Sequence, residues 1–235
     1  MNKPLFITAA ALLLGWVSAA EPQTVRLDFA SEPDMTETSR PGGQKYIIRE
    51  KSVAIPAIQD RDFTFEAKVN IRKIGHYGSV SIGLSNSKLS AQDVFFRFSR
   101  TSFKNHVFFY SGTGLKSKPD TAPPFIGFKK GICLLRIDYS AATVQARWRL
   151  SDGAGQLLHD TGWIRTHAPV NPDRITIRAT DKEGLDKTEI RFDPQRKCLF
   201  VRSLIGYEGK VPYVLEMEVM SITLRAMRGE VISNQ

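Results

Sequence analysis

Residues 131–163 have the sequence GICLLRIDYSAATVQARWRLSDGAGQLLHDTGW, in which two turn signals separate three strand-like segments. The central segment alternates apolar and polar residues, and its apolar positions are Val144, Ala146, Trp148 and Leu150. A period of two is typical of a strand with one buried face. An Asp-Gly pair at 152–153 then favours a hairpin turn, because glycine adopts positive φ without steric cost. This stretch therefore predicts antiparallel strands, and its Asp-Gly segment is interpreted as a turn rather than a binding loop.

The same alternation recurs along the rest of the chain, and no helical period is sustained. The apolar positions of four further strands are Phe63, Phe65, Ala67, Val69 and Ile71; Val80, Ile82 and Leu84; Val94, Phe96 and Phe98; and Ile175 and Ile177. Residues 213–227 are long enough for one extended strand or for two strands joined at a bulge. Short alternating strands between clusters of Gly, Pro, Asn and Asp predict an all-β sandwich or barrel.

Two segments are predicted to be long loops. Residues 31–43 lack apolar periodicity, and residues 116–124 contain three prolines, which cannot donate hydrogen bonds in a central ladder. Neither segment resembles a linker, because strand patterns continue on both sides. Residues 21–235 are therefore predicted to form a single domain.

The first 20 residues have the layout of a secretory signal peptide. Lys3 precedes an apolar run from Leu5 to Val17, and small residues lead to a predicted cleavage after Ala20. The run is shorter than the roughly 20 residues that a spanning helix needs, and no second run occurs. We therefore expect a secreted or periplasmic protein without a membrane span. Removing the one lysine of this segment changes the net charge from +9 to +8.

Cys133 and Cys198 are the only two cysteines. In an exported protein an even pair suggests a disulfide, which the sequence predicts as one of two alternatives. The other alternative is a pair of buried, unpaired thiols that lie in strands. Sequence alone does not bring the two side chains together.

The run from Ile132 to Trp163, with its strand, turn, strand, Asp-Gly-x-Gly turn and Leu-x-Asp-Thr-Gly-Trp, resembles secreted bacterial members of the concanavalin A-like lectin/glucanase superfamily. The terminal segment VMSITLR, residues 219–225, resembles the closing strand of the same jelly rolls. The resemblance implies a jelly-roll β-sandwich of two antiparallel sheets, one of which is often concave and binds glycans. It does not imply a particular activity.

Catalytic signatures of that superfamily are incomplete here. The glucanase motif Glu-x-Asp-x-x-Glu is missing, and its nearest counterpart, Glu216 and Glu218, is interpreted as a solvated strand face. Alginate-lyase-like members use arginine, glutamine, histidine and tyrosine for β-elimination, and the candidates here are Arg97, His106, Tyr110, Gln145 and Arg147. None of the short lyase motifs is intact. The sequence leans towards a non-catalytic protein and leaves a polysaccharide lyase or an atypical glycoside hydrolase as the alternative.

Glycan binding needs aromatic contact with sugar faces and planar, charge-assisted hydrogen bonds to hydroxyls. Nine side chains are candidates: Arg97, His106, Tyr110, Arg136, Asp138, Gln145, Arg147, Arg149 and Trp163. The positive charge favours an acidic or cell-envelope polysaccharide or glycoconjugate as partner. No nucleic-acid module is recognised, so nucleic acid is not expected as a partner. An envelope module that binds protein remains a second alternative.

Metal-binding signals are weak. His159, Asp160 and His167 match no compact ligand spacing, and no metal site is predicted. Calcium is the one cofactor left open, because residues 180–189 contain four acidic side chains, Asp181, Glu183, Asp186 and Glu189. Two lysines lie among these acids, which favours a solvated loop with local ion pairs.

Overall fold

The computed structural model describes residues 23–27, 29, 35–41, 46–74, 79–100, 105–112, 114–115, 127–182, 188–205 and 213–226. The predicted signal peptide and the proline-rich segment at 116–124 lie outside these described residues, so both remain predictions. Within the described part of the chain, no helix is long and apolar enough to cross a membrane.

The described residues form sixteen strands in two antiparallel sheets. Sheet A consists of β1 (Thr24–Leu27), β4 (Phe63–Lys73), β9 (Gly131–Ser140), β10 (Gln145–Asp152), β11 (Leu157–Asp160), β12 (Ile164–Arg165), β14 (Glu189–Asp193), β15 (Cys198–Ile205) and β16 (Tyr213–Ala226). Its order is β11-β10-β9-β4-β16-β15-β14, with β1 paired to β16 and β12 paired to β10.

Sheet B consists of β2 (Thr36–Pro41), β3 (Tyr46–Ala54), β5 (Ser79–Ser85), β6 (Val94–Arg100), β7 (Asn105–Ser111), β8 (Gly114–Leu115) and β13 (Arg174–Lys182), in the order β2-β3-β13-β5-β6-β7-β8. A 3-10 turn, Ser90–Gln92, precedes β6. The predicted all-β sandwich is confirmed. The predicted loop at 31–43 is wrong at its centre, where β2 pairs with β3. All six β2 residues are exposed, so this edge strand shows no alternation.

The core lies between the two sheets and contains the side chains that the alternation assigned to buried faces. Phe65, Ile82, Phe96 and Ile177 are examples that are fully buried. The Phe109 ring of sheet B lies 6.2 Å from the Trp148 ring of sheet A, which ties the two layers together. Val144 departs from the predicted stripe, because it lies in the turn before β10 with φ +53°.

The terminal strand β16 is a single strand of 14 residues with two register shifts. It pairs with β15 over its first half and with β4 along most of its length. The shifts lie between Glu216 and Met217 and between Val219 and Ser221. Bulges of this kind bend and twist a strand, which helps this long segment to pair with β15, β4 and β1.

The Asp-Gly stretch turns the chain, as predicted, but through a different glycine. Gly155 has φ +86°, and the Gly155 N–H donates to the Asp152 carbonyl at 3.1 Å. The Asp152 carboxylate accepts from the N–H groups of Ala154 and Gln156, both at 2.9 Å. A turn followed by a left-handed glycine is a common three-residue hairpin connection. The turn therefore connects β10 to β11.

The alternative of a Cys133–Cys198 disulfide is wrong, because both thiols are free and buried. Cys133 lies on β9 and Cys198 on β15, and β4 and β16 separate these strands. Three strand spacings amount to about 14 Å, twice the roughly 7 Å limit for bridged Cα atoms. Cys133 also belongs to the core, whereas Cys198 shares the opposite face of the sheet with Phe200. Burial raises the pKa of each thiol to about 11.

Candidate functional site

The outer face of sheet A, which points away from the core, carries three rows of side chains aligned across the strands. The first row contains Leu157, Ser151, Leu134, Lys68 and Ser221. The second row contains Asp160, Arg149, Arg136, Glu66 and Thr223. The third row contains Arg147, Asp138, Thr64 and Arg225. Strand register therefore places side chains from five strands on one surface.

The first two rows and Arg147 line a groove of about 590 Å³. This volume lies within the range of about 300–1,000 Å³ that is usual for ligand pockets. One side of the groove is apolar, since Leu134 and Leu157 lie on it, and Leu157 is 52% exposed. The opposite side carries guanidinium and carboxylate groups. The groove thus offers both apolar contact and directional hydrogen bonding.

Asp138 organises the charged side of the groove. Arg136 and Arg149 lie directly opposite each other, an arrangement in which like charges repel. The Asp138 carboxylate joins them, because it accepts from Arg136 Nε at 2.9 Å and also from Arg149 Nη2. Burial works against ionisation of Asp138, but the hydrogen bonds from Arg136, Arg149 and Thr64 outweigh it and lower its pKa. The carboxylate therefore remains an ionised acceptor.

Arg147 and Asp160 form the second ionic contact of the groove. Arg147 Nε donates to Asp160 Oδ1 at 2.8 Å, and the Gly162 N–H donates to the same oxygen at 2.8 Å. The hydrogen bond from Arg147 lowers the pKa of Asp160, and that same bond raises the pKa of Arg147. This contact fixes the plane of the Arg147 guanidinium along the groove wall.

Two cationic side chains of the groove, Arg149 and Lys68, keep donors that no acceptor of the described residues engages. Arg149 Nε is buried and has no hydrogen-bond partner within the part of the chain that the structure describes. Lys68 lies between Leu134 and Ser221 and pairs with no carboxylate of the described residues. Strand spacing and rise put the two Cα atoms about 12 Å apart. A ligand with acceptors over this span would contact Lys68 and the exposed part of the Arg149 guanidinium.

The predicted site residues divide between two surfaces. Arg136, Asp138, Arg147 and Arg149 meet on the outer face of sheet A, and Gln145 lies on the same face beyond the third row. Trp163, which is 43% exposed, precedes β12 at the edge beside β10.

Arg97, His106 and Tyr110 lie instead on the outer face of sheet B. Arg97 donates from Nη1 to the Tyr110 hydroxyl at 3.2 Å and from Nε to Ser79 Oγ at 2.7 Å. His106 is almost fully buried. The hydrophobic core separates these residues from Gln145 and Arg147. The five candidates for the lyase alternative therefore do not form one constellation.

Sequence reasoning missed Glu66, Lys68, Leu134, Leu157 and Asp160. The alternation of β4 did indicate that Glu66 and Lys68 point away from Phe65 and the core. Their place in the groove follows from the pairing of β4 with β9, about 70 residues away, and no local pattern indicates that pairing.

Other acidic candidates have defined partners. Glu218 is buried and accepts from Arg196 Nη1 at 2.9 Å and Asn70 Nδ2 at 2.8 Å, so the interpretation as a solvated face is wrong for this residue. Glu189 lies 3.3 Å from Arg202. Residues 183–187 and the Asp181 side chain lie outside the described residues. Among the described residues, no group of three potential metal ligands is present.

No family model matches the chain, and a search of the curated proteins finds no relative. Solved structures do share its architecture. A CBM2 module of the evolved Dit of Lactobacillus casei BL23 phage J-1 is 13% identical, with a TM-score of 0.52, and the match covers 90% of this chain and 99% of that one. A Bauhinia forficata lectin in complex with GalNAc is 10% identical, with a TM-score of 0.50, and covers 89% and 100%. The chain has the concanavalin A-like lectin fold.

Proposed function

We propose that this protein is exported and binds an acidic or cell-envelope polysaccharide, without cleaving it, in the groove on the outer face of sheet A. The observation that carries this proposal is the presence of two accessible cations in a groove of suitable size: Lys68 pairs with no described carboxylate, and the Arg149 side chain is 30% exposed. An anionic acceptor on a ligand would form charge-assisted hydrogen bonds with these cations.

The groove chemistry matches that of a sugar. Hydroxyl groups both donate and accept, so they suit a surface on which the carboxylates of Glu66 and Asp160 lie beside guanidinium groups. The planar arginines supply paired donors in a fixed geometry. Leu134 and Leu157 supply apolar surface for the C–H faces of a sugar ring. The lectin with a similar fold is in complex with GalNAc, which supports the same ligand class for this chain.

The charge of the groove supports an acidic ligand. Arg136, Arg147 and Arg149 are balanced by Glu66, Asp138 and Asp160, and this leaves Lys68 as an uncompensated cation. A uronate carboxylate or a phosphodiester close to Lys68 would form a charge-assisted bond. The charge of +8 on the mature chain, which is the +9 of the full sequence less Lys3, adds long-range attraction of the same sign.

Asp138 and Asp160 favour binding over hydrolysis. A glycosidase needs one carboxylic acid with a raised pKa as its proton donor. The pKa values of Asp138 and Asp160 are both lowered, because each accepts hydrogen bonds from a guanidinium. Neither group is therefore suited to deliver a proton near neutral pH.

Affinity electrophoresis through gels that contain neutral or anionic polysaccharides, at low and high salt, tests the proposal. We expect one acidic polysaccharide to retard the mature protein in a manner that survives salt, since specific contacts are screened less than long-range attraction. The variant R147A/R149A should bind at least about tenfold more weakly, because a hydrogen bond from a charged donor contributes roughly 1.5–3 kcal/mol.

The matched control is R61A/K129A, which removes the same charge from exposed positions outside the groove. Equal losses in both variants, or retardation that disappears with salt, would mean that only net charge acts. Release of sugar fragments would support the enzyme alternative. No retardation by any polysaccharide would favour a protein partner. N-terminal sequencing of the exported protein tests cleavage after Ala20.

A further inference from the structure

A second concave surface lies on the outer face of sheet B, where β2, β3 and β13 meet the turn that follows β5. It is a polar pocket of about 250 Å³. This is smaller than the roughly 300–1,000 Å³ of most ligand pockets. The pocket therefore has room for one charged group of a ligand and not for an oligosaccharide.

The floor of the pocket is an ionic triad. Arg178 donates from Nε to Glu50 Oε2 at 2.5 Å and from Nη2 to Asp93 Oδ2 at 3.0 Å. The guanidinium also lies 4.1 Å from the centre of the Phe95 ring, which supports it from below. Gly83 makes this stacking feasible, since a Cβ there would come within 3.0 Å of the Phe95 ring. Both carboxylates are thus engaged by Arg178.

The rim of the pocket carries three cations without a hydrogen-bonded carboxylate. Arg40 Nη2 is 3.9 Å from Glu50 Oε2, and Arg174 Nε is 4.0 Å from Asp173 Oδ1. Both distances exceed those of a hydrogen bond. Lys88 pairs with no carboxylate in the described part of the chain. Four cations therefore line the pocket, namely these three and Arg178, against two carboxylates, Glu50 and Asp93.

The turn that presents Lys88 is held in place before any ligand arrives. Asn86 Oδ1 accepts from the N–H groups of Lys88 and Leu89, at 2.9 and 3.0 Å. Asn86 Nδ2 donates to the Asn171 carbonyl at 2.6 Å, and the Asn86 N–H donates to Asp93 Oδ1 at 3.1 Å. A fixed turn lowers the entropic cost of binding a small group.

We propose that this pocket binds a small oxyanion, namely the phosphate or carboxylate group of a sugar or other small molecule, between Arg40, Lys88 and Arg174. Three cations converge on a rigid polar floor, and the small volume selects the charged group itself. This site is independent of the groove on sheet A, because the hydrophobic core separates the two surfaces.

The test is an NMR titration of the 15N-labelled mature protein with inorganic phosphate or with glucuronate, at physiological salt. We expect saturable shifts of the Lys88 and Leu89 amides. Binding should weaken about tenfold in K88A/R174A and stay unchanged in the charge-matched control R61A/K129A and in the groove variant R147A/R149A. The single variant K88A, which breaks no ion pair, should keep the wild-type spectrum elsewhere and still bind more weakly.

A response to phosphate alone would assign the pocket to phosphate esters, and a response to glucuronate alone would assign it to carboxylates. The proposal would be overturned if neither anion shifted the Lys88 and Leu89 amides. It would also be overturned if R61A/K129A lost as much binding as K88A/R174A. If the protein showed these amide shifts but was not retained by any polysaccharide, only the proposal for the groove would fail.

Discussion

Asp138 is the side chain on which the geometry of the groove depends. It joins two arginines that would otherwise face each other as like charges, and it also accepts from Thr64 Oγ1 at 2.9 Å. An amide at this position keeps the shape but presents an NH2 group to a guanidinium. The Asp138 carboxylate therefore both positions Arg136 and Arg149 for a ligand and stabilises the fold.

The variant D138N should lower the free energy of unfolding at neutral pH by about 1–3 kcal/mol, since it removes the acceptor that Arg136 and Arg149 share and brings an amide NH2 group against them. Because the pKa of Asp138 is lowered in the folded state, its stabilisation is present above the ordinary value of 3.8 and is lost as pH falls through the lowered value. Urea unfolding at neutral and acidic pH should show that the difference from wild type closes in strong acid.

Glu37 provides the control, because its pairing with Lys51 at 3.7 Å is exposed. The variant E37Q should change stability by less than about 0.5 kcal/mol. A difference between wild type and D138N that stayed constant down to strong acid would contradict the assigned role.

The two cysteines give a second prediction at this scale. Both are buried, and a pKa of about 11 keeps each thiol protonated at neutral pH. An alkylating reagent should therefore label neither thiol in the native protein and both in denaturant without a reductant, as read by mass spectrometry. Two unlabelled cysteines after denaturation would mean a disulfide, and labelling of the native protein would contradict their burial.

The β10–β11 hairpin is the element that brings Leu157 and Asp160 to the groove. Its turn requires a left-handed residue at Gly155, whose added Cβ would meet no atom within 4 Å. The variant G155A should therefore destabilise the protein by about 1 kcal/mol through backbone strain alone. G155N should cost less, because asparagine tolerates this conformation better. Thermal unfolding measures both.

Ala154, exposed in the same turn, provides the control for the hairpin. A154S should leave the melting temperature unchanged, since it alters neither φ nor packing. If G155A and A154S behaved alike, the left-handed conformation of Gly155 would not be needed.

Elements could be predicted from the sequence where the information is local. Alternation identified the buried faces of β4, β5, β6 and β10, and the Asp-Gly stretch identified the turn after β10. The cluster of Arg136, Arg147 and Arg149 depends on the pairing of adjacent strands β9 and β10, which is also local. Lys68 and Glu66 join it through a pairing of distant strands, which depends on the packing of the whole core. The separation of Cys133 from Cys198 by β4 and β16 is set by the same long-range order.

At the scale of the whole molecule, the candidate residues lie on the outer faces of two different sheets and point in opposite directions. Stacked sheets lie about 10 Å apart, and the core between them is closed by contacts such as that of Phe109 with Trp148. The groove on sheet A and the pocket on sheet B therefore open to opposite sides. A sequence pattern reports whether a residue points inward or outward, but it does not report on which of two sheets an outward residue lies.

This arrangement predicts that the protein bridges polysaccharide chains. If the groove binds a glycan segment and the pocket binds an oxyanion of a second chain, one molecule joins two chains. A long acidic polysaccharide mixed with the mature protein should become turbid near equivalence and clear again in excess protein, because excess protein saturates each chain separately. R147A/R149A and K88A/R174A should each prevent turbidity, whereas R61A/K129A should not. Turbidity that persisted in both site variants would reflect charge neutralisation. If the wild-type protein bound at both sites and the solution stayed clear, one polysaccharide chain would occupy both faces.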